Sequence, residues 1–437
     1  MKPFTRTIYP AFLLVGFALA SASSLQRCEF PMIINFGDST SDTGGLSATF
    51  FYVPLPYGET YFHRPAGRFS DGRVLLDFMA EGLGLPYLSA YLDSLGTNFS
   101  HGVNFATAGS TIRPQNLPFA TTGLSPFSLD IQLSQFAQFK SRSQLVAEQG
   151  GVFKDLMPKQ KYFSRALYTI DIGGNDIGLG FTQNLTDVEI KAIIHDGLGI
   201  LASSIKTLYD GGARFFWVHN PPPIGCIPSM LVSMPPAADQ MDSVGCSIPM
   251  NKMVEYFNGE LNKTLVQLRK ELPLAVLTYV DIYSAKYELI SHAAKYAEGR
   301  STIRPQNQSF TISGLNPFSL DIQLTQFMQF KSRSQLVAKQ GFKYPLKACC
   351  GYGGGKYNFN GSIRCAFPTM VNGTLITVKS CKDPSTRINF DGYHFTEAAN
   401  KWLFDHIHTG RYSKNHGKDH KGKSKKELRA ETPHLKE

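Results

Sequence analysis

Short apolar runs rich in β-branched and aromatic residues alternate with longer amphipathic stretches along most of the chain. The short runs predict five β-strands, at 32–36, 102–106, 166–172, 214–220 and 275–282. The longer stretches predict helices at 71–83, 128–147, 187–209 and 250–271. This alternation predicts an α/β fold in which a mostly parallel five-stranded sheet has helices on both faces. Sheets of this kind carry their sites at the carboxyl ends of the strands.

A further apolar run, at residues 11–20, differs from the strand candidates. It follows Lys2 and Arg6 and precedes small residues at 20–22, which is the pattern of a cleavable secretion signal over residues 1–24. The run is about half of the roughly 20 residues that span a bilayer, so a transmembrane anchor is the weaker interpretation. We expect a secreted, extracellular or cell-wall protein without a transmembrane segment, with a single domain over residues 25–410.

Seven cysteines and six Asn-x-Ser/Thr sequons agree with that route. The cysteines are Cys28, Cys226, Cys246, Cys349, Cys350, Cys365 and Cys381. Six of them could form three disulfides; Cys226 and Cys246 bracket a proline-rich loop and are the favoured pair, while the late cysteines are expected to staple the glycine-rich segment 348–361. Zinc ligation lacks the paired CxxC or spaced histidines that it needs, so no metal is expected. The candidate glycosylation sites are Asn98, Asn184, Asn262, Asn307, Asn360 and Asn372.

Half of the formal charge of +10 lies in residues 411–437, where nine Lys and Arg accompany four Asp and Glu. This segment lacks apolar periodicity, so we expect a disordered, solvated tail, with a loose contact to acidic cell-wall polysaccharide as the alternative. The rest of the chain has no pattern of a nucleic-acid-binding module. We expect a monomer without a nucleic-acid partner.

The first predicted strand runs into FGDSTSDTGG, which leaves Ser39 in a turn at the carboxyl end of that strand. A Ser/Asp/Gly turn of ordinary type is the simplest interpretation of this segment. It lacks the GK[S/T] of a phosphate-binding loop and the G-x-S-x-G of the α/β-hydrolase elbow. If Ser39 is a nucleophile, its general base has to come from elsewhere in the chain.

Three other motifs could complete such a site. NFDGYHFTEAAN places Asp391 three residues before His394 at the entrance to a helix, where a carboxylate can hold the imidazole in the tautomer that accepts a proton from a serine. Gly109 of NFATAG could present an unobstructed backbone N–H, and DIGGND puts the amide of Asn175 at the end of the third strand. Alone, each motif is more often a turn or a capped helix start; together, they fall in order at strand ends.

The combination of FGDSTSDTGG, GVNFATAG, DIGGND, PPPIGC, CCGYGG and DGYHFTEAAN resembles the GDSL esterase/lipase family of SGNH hydrolases in its plant secreted form, close to early-nodulin and latex-allergen esterases. The resemblance runs from residue 28 to residue 408. It implies a flavodoxin-like three-layer α/β/α sandwich and a reaction without a cofactor.

The resemblance also implies a role for each motif. Ser39 would be the nucleophile, His394 the general base and acid, and Asp391 the residue that orients His394. The oxyanion hole would consist of the backbone N–H groups of Ser39 and Gly109 with the side chain of Asn175. Thr40 stands where many relatives have asparagine.

Residues 110–150 are repeated at 301–341 with 32 of 41 positions identical. The second copy follows Arg300 rather than a glycine, and neither a second GDS nor a second Asp-x-x-His accompanies it, so it is not a second active site. Removing residues 300–340 restores the spacing that the family implies. We hypothesise alternative exons, or a gene model that includes both; an inserted helical hairpin is the rival interpretation. Met328 corresponds to Ala137, a change expected to require repacking.

The leading hypothesis is therefore a secreted serine esterase acting on acyl or acetyl esters of lipids, polysaccharides or small glycosides. A glycosidase is the first alternative, but it requires two carboxylates about 5 to 10 Å apart flanking a sugar, and no pair in the sequence is more persuasive than Asp391 with His394. A catalytically silent wall glycoprotein is the second alternative.

Overall fold

The structure is a computed structural model that describes residues 30–297 and 341–414. Its strands, in chain order, are β1 (Ile33–Gly37), β2 (Gly102–Asn104), β3 (Leu167–Asp171), β4 (Phe215–His219), β5 (Val276–Val280), β6 (Thr369–Val371), β7 (Thr374–Ile376) and β8 (Ser413–Lys414). Five of them form a parallel sheet in the order β2-β1-β3-β4-β5, to which β8 adds an antiparallel edge. The predicted five-stranded parallel sheet is confirmed, and its order is that of flavodoxin-like folds.

Helices cover both faces of this sheet. In chain order, those in the described residues are α1 (Gly45–Thr49), α2 (Leu75–Gly82), α3 (Phe119–Thr122), α4 (Leu129–Gln149), α5 (Gly174–Thr182), α6 (Asp187–Asp210), α7 (Pro228–Ser233), α8 (Ile248–Glu271), α9 (Ile282–Ser291) and α10 (Glu397–Ile407). The four helices predicted from periodicity correspond to α2, α4, α6 and α8.

Neighbouring residues of β1 point into opposite cores because successive side chains of a strand alternate between its faces. Ile34 and Phe36 pack in the core that α4, α6 and α8 cover. Ile33 packs in the core that α2, α9 and α10 cover. All five residues of β1 are buried, as expected for a parallel strand with helices on both sides. The result is a three-layer α/β/α sandwich.

Three disulfides lie in the described part of the chain. Cys226 pairs with Cys246, which confirms the favoured pair. Cys349 pairs with Cys381, and Cys350 pairs with Cys365. The last two bridges tie the glycine-rich segment to the loop that precedes α10. Cys28 lies outside the described residues.

Two expectations need correction. The tail does not begin at residue 411, because residues 413–414 form β8, and Tyr412 O accepts a 2.7 Å hydrogen bond from Asp281 N. Ala137 lies on the exposed side of α4, so the methionine at the corresponding position of the second copy would need no repacking.

The predicted signal at 1–24, the second copy up to residue 340 and the tail beyond residue 414 lie outside the described residues. Among the helices that the structure describes, none is both long enough and apolar enough to cross a membrane.

Candidate active site

Ser39 lies in the turn directly after β1, where the strand order reverses between β2 and β3. Gly37 ends the strand and has no room for a side chain: a Cβ there would lie 2.5 Å from Ser41 Oγ and 2.7 Å from Asp171 O. The buried amide of Gln132 in α4 bonds both backbone groups of Gly37, at 2.9 and 2.8 Å. Ser39 is thereby held, half-buried, at the carboxyl edge of the sheet.

His394 and Asp391 form a hydrogen-bonded pair in the loop before α10. His394 Nδ1 lies 2.7 Å from Asp391 Oδ2, while Asp391 Oδ1 accepts the backbone N–H groups of Tyr393 at 2.9 Å and His394 at 2.8 Å. Both residues precede the helix, whose first turn is capped by Thr396. The local turn of the Asp-x-x-His segment, rather than helical periodicity, sets the geometry of the pair.

The three candidate oxyanion donors also lie at strand ends. Among the described residues, no group accepts a hydrogen bond from the backbone N–H of Ser39 or of Gly109. Asn175 opens α5 after β3, and its Nδ2 donates to Ser110 O at 2.8 Å and approaches Asp38 Oδ2 at 3.4 Å. The longer contact is weak, so one hydrogen of this amide can turn to a substrate oxygen at small cost.

A cleft of about 560 Å³ lies where three of these motifs meet. Ser39, Asn175 and His394 line it. Its apolar lining residues include Leu117, Leu124, Ile172, Leu179, Ile227 and Met230. A cleft with a serine, a carboxylate-bound imidazole and apolar walls is suited to acyl transfer from a substrate with an apolar part.

The sequence profile of GDSL-like lipases and acylhydrolases matches residues 33–407. The chain belongs to this GDSL family. It is 49% identical over 387 residues to a GDSL esterase/lipase of Arabidopsis thaliana, an alignment that covers 88% of this chain and 90% of that protein. It is 46% identical to an esterase of Hevea brasiliensis, over 92% and 91% of the two chains. It is also 41% identical, over 94% and 98%, to a protein named alpha-L-fucosidase 3 of Arabidopsis thaliana.

Membership in the GDSL family and the esterase relatives make the protein a carboxylic ester hydrolase. The resemblance noted in the sequence is thus confirmed, together with its fold.

Tyr57 is part of this GDSL site, although no motif pointed to it. Its hydroxyl donates a 2.9 Å hydrogen bond to Asp391 Oδ2, the oxygen that also faces His394. The ring of Tyr57 is buried edge-on against Phe390, with ring centroids 5.2 Å apart. A tyrosine 334 residues away from its partner leaves no signal in local sequence patterns.

Thr40 links the buried carboxylate of Asp38, in the serine turn, to the partly buried carboxylate of Asp171 at the end of β3. Its hydroxyl lies 2.9 Å from Asp38 Oδ1 and 2.6 Å from Asp171 Oδ2. A hydroxyl has a single proton, so it cannot donate to both carboxylates. Burial, and then the charge of Asp171, raise the pKa of Asp38 to about 7. The arrangement fits a protonated Asp38, with the Thr40 hydroxyl donating to an ionised Asp171.

Two basic side chains, His219 and Lys286, favour the ionised form of Asp171. Burial raises the pKa of Asp171, but His219, Lys286 and the Thr40 hydroxyl outweigh it and hold this pKa below its usual value. His219 Nδ1 lies 3.8 Å from Asp171 Oδ2. Lys286 is buried in the same cleft, and burial lowers its pKa. The structural role of Thr40 is therefore to bridge Asp38 and Asp171, and the identity of this residue within the sequence motif does not indicate that role.

The remaining candidate sites are distributed over the surface. Asn98, Asn184 and Asn372 are exposed, Asn262 and Asn360 are half-buried, and Asn307 lies outside the described residues. Within residues 30–297 and 341–414, no group of three His, Cys, Asp or Glu side chains is placed to hold a metal ion.

Proposed function

We propose that the protein hydrolyses acyl or acetyl esters through a triad of Ser39, His394 and Asp391. The observation that carries the proposal is the 2.7 Å contact between His394 Nδ1 and Asp391 Oδ2, because it leaves Nε2 of His394 to act in the cleft that Ser39 also lines. A carboxylate bonded to Nδ1 selects the tautomer whose Nε2 accepts a proton and stabilises the imidazolium that forms.

The reaction then proceeds in two halves. His394 takes the proton of Ser39 Oγ as that oxygen attacks the ester carbonyl, and the resulting oxyanion is bound by the N–H groups of Ser39 and Gly109 and by the Asn175 amide. Collapse of this intermediate expels the alcohol, which leaves with the proton from His394. Water, deprotonated by His394, attacks the acyl-serine, and His394 then returns this proton to Ser39 Oγ as the carboxylic acid is released. Each oxyanion donor is worth about 3 kcal/mol in such sites.

We also propose secretion through residues 1–24 and glycosylation at the sequons. The three disulfides support this route because such bonds persist in oxidising compartments. Substrates would be esters of lipids, acetylated polysaccharides or small glycosides, and the basic tail could contact acidic wall polysaccharide.

The relative named alpha-L-fucosidase 3 keeps glycoside hydrolysis as a second candidate. Such a reaction would need two carboxyl groups free to flank a sugar. The carboxylates that line the cleft in the described residues, Asp38 and Asp171, are both in contact with the Thr40 hydroxyl. This engagement makes the esterase the better-supported proposal.

The test compares the full-length chain with Ser39→Ala, using p-nitrophenyl acetate and butyrate and p-nitrophenyl α-L-fucoside. We expect ester hydrolysis that falls on the order of 10⁶-fold in Ser39→Ala. Ser203→Ala, at an exposed position of α6, is the matched control and should retain full activity. Fucoside hydrolysis that survives Ser39→Ala, or no ester hydrolysis by the folded, secreted chain, would refute the proposal.

A further inference from the structure

The two copies of the repeated segment differ in a pattern that the structure of the first copy makes interpretable. They differ at nine positions of the first copy: 117, 118, 120, 121, 122, 125, 134, 137 and 148. The first six fall within residues 117–125, a stretch that we call the lip. The last three are at exposed positions of α4.

The positions that fasten this segment to the rest of the fold are the same in both copies. Gln132, which bonds both backbone groups of Gly37, corresponds to Gln323. Phe136 and Phe139, both in the main core, correspond to Phe327 and Phe330. Because the packing residues are retained, the second sequence could replace the first on the same framework.

The lip packs directly on the oxyanion glycine. Ser125 N donates a 2.8 Å hydrogen bond to Gly109 O, and a Cβ at Gly109 would lie 2.2 Å from Gly123 O. The ring of Phe119 stacks on Phe50 at 4.4 Å. Phe119 and Gly123 are unchanged in the second copy, and Gly109 lies outside the repeated unit, so these anchors do not depend on which copy is used.

Two of the lip differences, at 122 and 125, preserve the local hydrogen bonds. Thr122 Oγ1 lies 3.1 Å from Pro118 O and accepts a 3.1 Å bond from Leu124 N, and the serine of the second copy keeps this hydroxyl. Ser125 Oγ accepts a 3.1 Å bond from Phe127 N, a turn that the corresponding asparagine can also form.

Leu117 is the exception. It lines the cleft, is half-buried, and corresponds to Gln308 in the second copy. Of the two cleft-lining lip positions at which the copies differ, 117 and 122, the change at 117 alone replaces an apolar side chain by a polar one.

The position of the lip indicates which part of a substrate Leu117 meets. In the proposed reaction His394 protonates the leaving alcohol, so the alcohol lies on the His394 side of Ser39. The acyl group then extends the other way, past the oxyanion donors. The lip follows β2 and packs on Gly109, while Leu179 lies one turn beyond Asn175 in α5 and also lines the cleft.

We propose that Leu117 determines the acyl-chain preference of the esterase, and that the second copy carries the sequence of an alternative lip suited to short or polar acyl groups. This inference rests on the proposed function. A glutamine amide in that wall would have to be desolvated against a long alkyl chain, whereas an acetyl group is too short to reach it.

The test measures kcat/KM for p-nitrophenyl acetate, butyrate and octanoate with the full-length chain and Leu117→Gln. We expect the octanoate-to-acetate ratio of kcat/KM to fall about 10-fold in the variant, because the loss increases with the length of the acyl chain. The single change retains Pro118 and so creates no sequon at Asn116, which the complete second lip would do. The matched control transfers the three differences in α4, as Ser134→Thr, Ala137→Met and Glu148→Lys, and should leave the ratio unchanged.

The outcomes separate this proposal from the one on which it rests. An unchanged ratio in a Leu117→Gln enzyme that still depends on Ser39 would overturn the role of Leu117 alone. An equal decrease of kcat/KM for all three esters would also overturn the role of Leu117 in acyl-chain preference, because a purely structural role predicts that result. A variant whose selectivity changes between p-nitrophenyl acetate and ethyl acetate, but not along the acyl series, would reassign Leu117 to the alcohol side. A wild-type chain without ester hydrolysis would refute both proposals.

Discussion

Asp391 receives four hydrogen bonds, three from its own turn and one from Tyr57. Burial raises the pKa of Asp391, but the charge and the hydrogen bonds of His394 and the backbone N–H groups of the turn hold it below its usual value. The carboxylate therefore stays ionised as a partner of the imidazole. The hydroxyl of Tyr57 adds orientation, because it binds the same oxygen as His394 Nδ1.

At this scale we expect Tyr57→Phe to lower kcat about 10-fold with little change in KM. The variant keeps the buried ring but loses one hydrogen bond to a charged group, which is worth about 1.5 to 3 kcal/mol.

We also expect Asp391→Asn to lower kcat about 10⁴-fold, because an asparagine at this position favours the wrong tautomer of the imidazole. Steady-state kinetics on p-nitrophenyl butyrate would measure both variants.

Tyr344→Phe is the matched control, because this tyrosine is 63% exposed. A Tyr57→Phe enzyme with unchanged kcat would show that the turn alone orients Asp391. An effect confined to KM would instead indicate a contact between Tyr57 and the substrate.

Between elements, Asp71 joins the loop before α2 to the first turn of α10. Its Oδ1 accepts a 2.8 Å hydrogen bond from Glu397 N. Burial raises the pKa of Asp71 to about 7; the Glu397 N–H opposes this rise, and the charge of Glu397 adds to it. The folded protein therefore holds a proton on Asp71 at pH values where the unfolded chain has released it.

This proton gives the stability a predictable pH dependence. A folded-state pKa above the unfolded value of 3.8 means that the contribution of Asp71 decreases as the pH rises from about 4 to about 7. We expect Asp71→Asn to remove this decrease. Between pH 4 and pH 8 the free energy of unfolding of the variant should therefore rise by about 4 kcal/mol relative to that of the wild type. Urea unfolding at a series of pH values would measure it.

The pKa values of Asp38 and Asp176 are also raised, to about 7 and about 6. These two residues should leave the Asp71→Asn protein with part of the decrease in unfolding free energy with pH. A slope identical to that of the wild type would mean that Asp71 is ionised in the folded state at neutral pH.

For the whole molecule, the described sheet, cleft and three disulfides are built from residues 30–297 and 341–414. We therefore expect a chain without residues 300–340 to fold, to form the same three disulfides and to hydrolyse p-nitrophenyl esters. Thermal unfolding, disulfide mapping and the ester assay check this expectation. Activity in the full-length chain but not in the shortened one would show that the second copy is required.

Peptide mapping of the natural protein decides between alternative exons and a true insertion. A peptide that joins residue 299 to residue 341 supports alternatives, and peptides that span both borders of the second copy contradict them.

Local sequence was sufficient for the strands, the main helices and the motifs at strand ends. The apolar patterns with a period of 2 or 3.6 residues depend only on which side of a single strand or helix is buried. The turn of Asp391 and His394 is closed by hydrogen bonds between residues two and three positions apart. The Cys226–Cys246 pair was also accessible, since 20 residues separate the two cysteines around one loop. The sequence did not predict the edge strand β8, because two residues are too few to show a periodic pattern.

The sequence by itself therefore determined the α/β class, the family and the chemical identity of the candidate site, because each depends on residues close together in the chain. Only the tertiary structure decided that Tyr57 reaches Asp391, that Thr40 bridges Asp38 and Asp171, and that Leu117 lines the cleft. The contacts of Tyr57 with Asp391 and of Thr40 with Asp171 join residues far apart in the chain. Their formation, like the place of Leu117 in the cleft, depends on how the sheet and its helices pack, which no local period encodes.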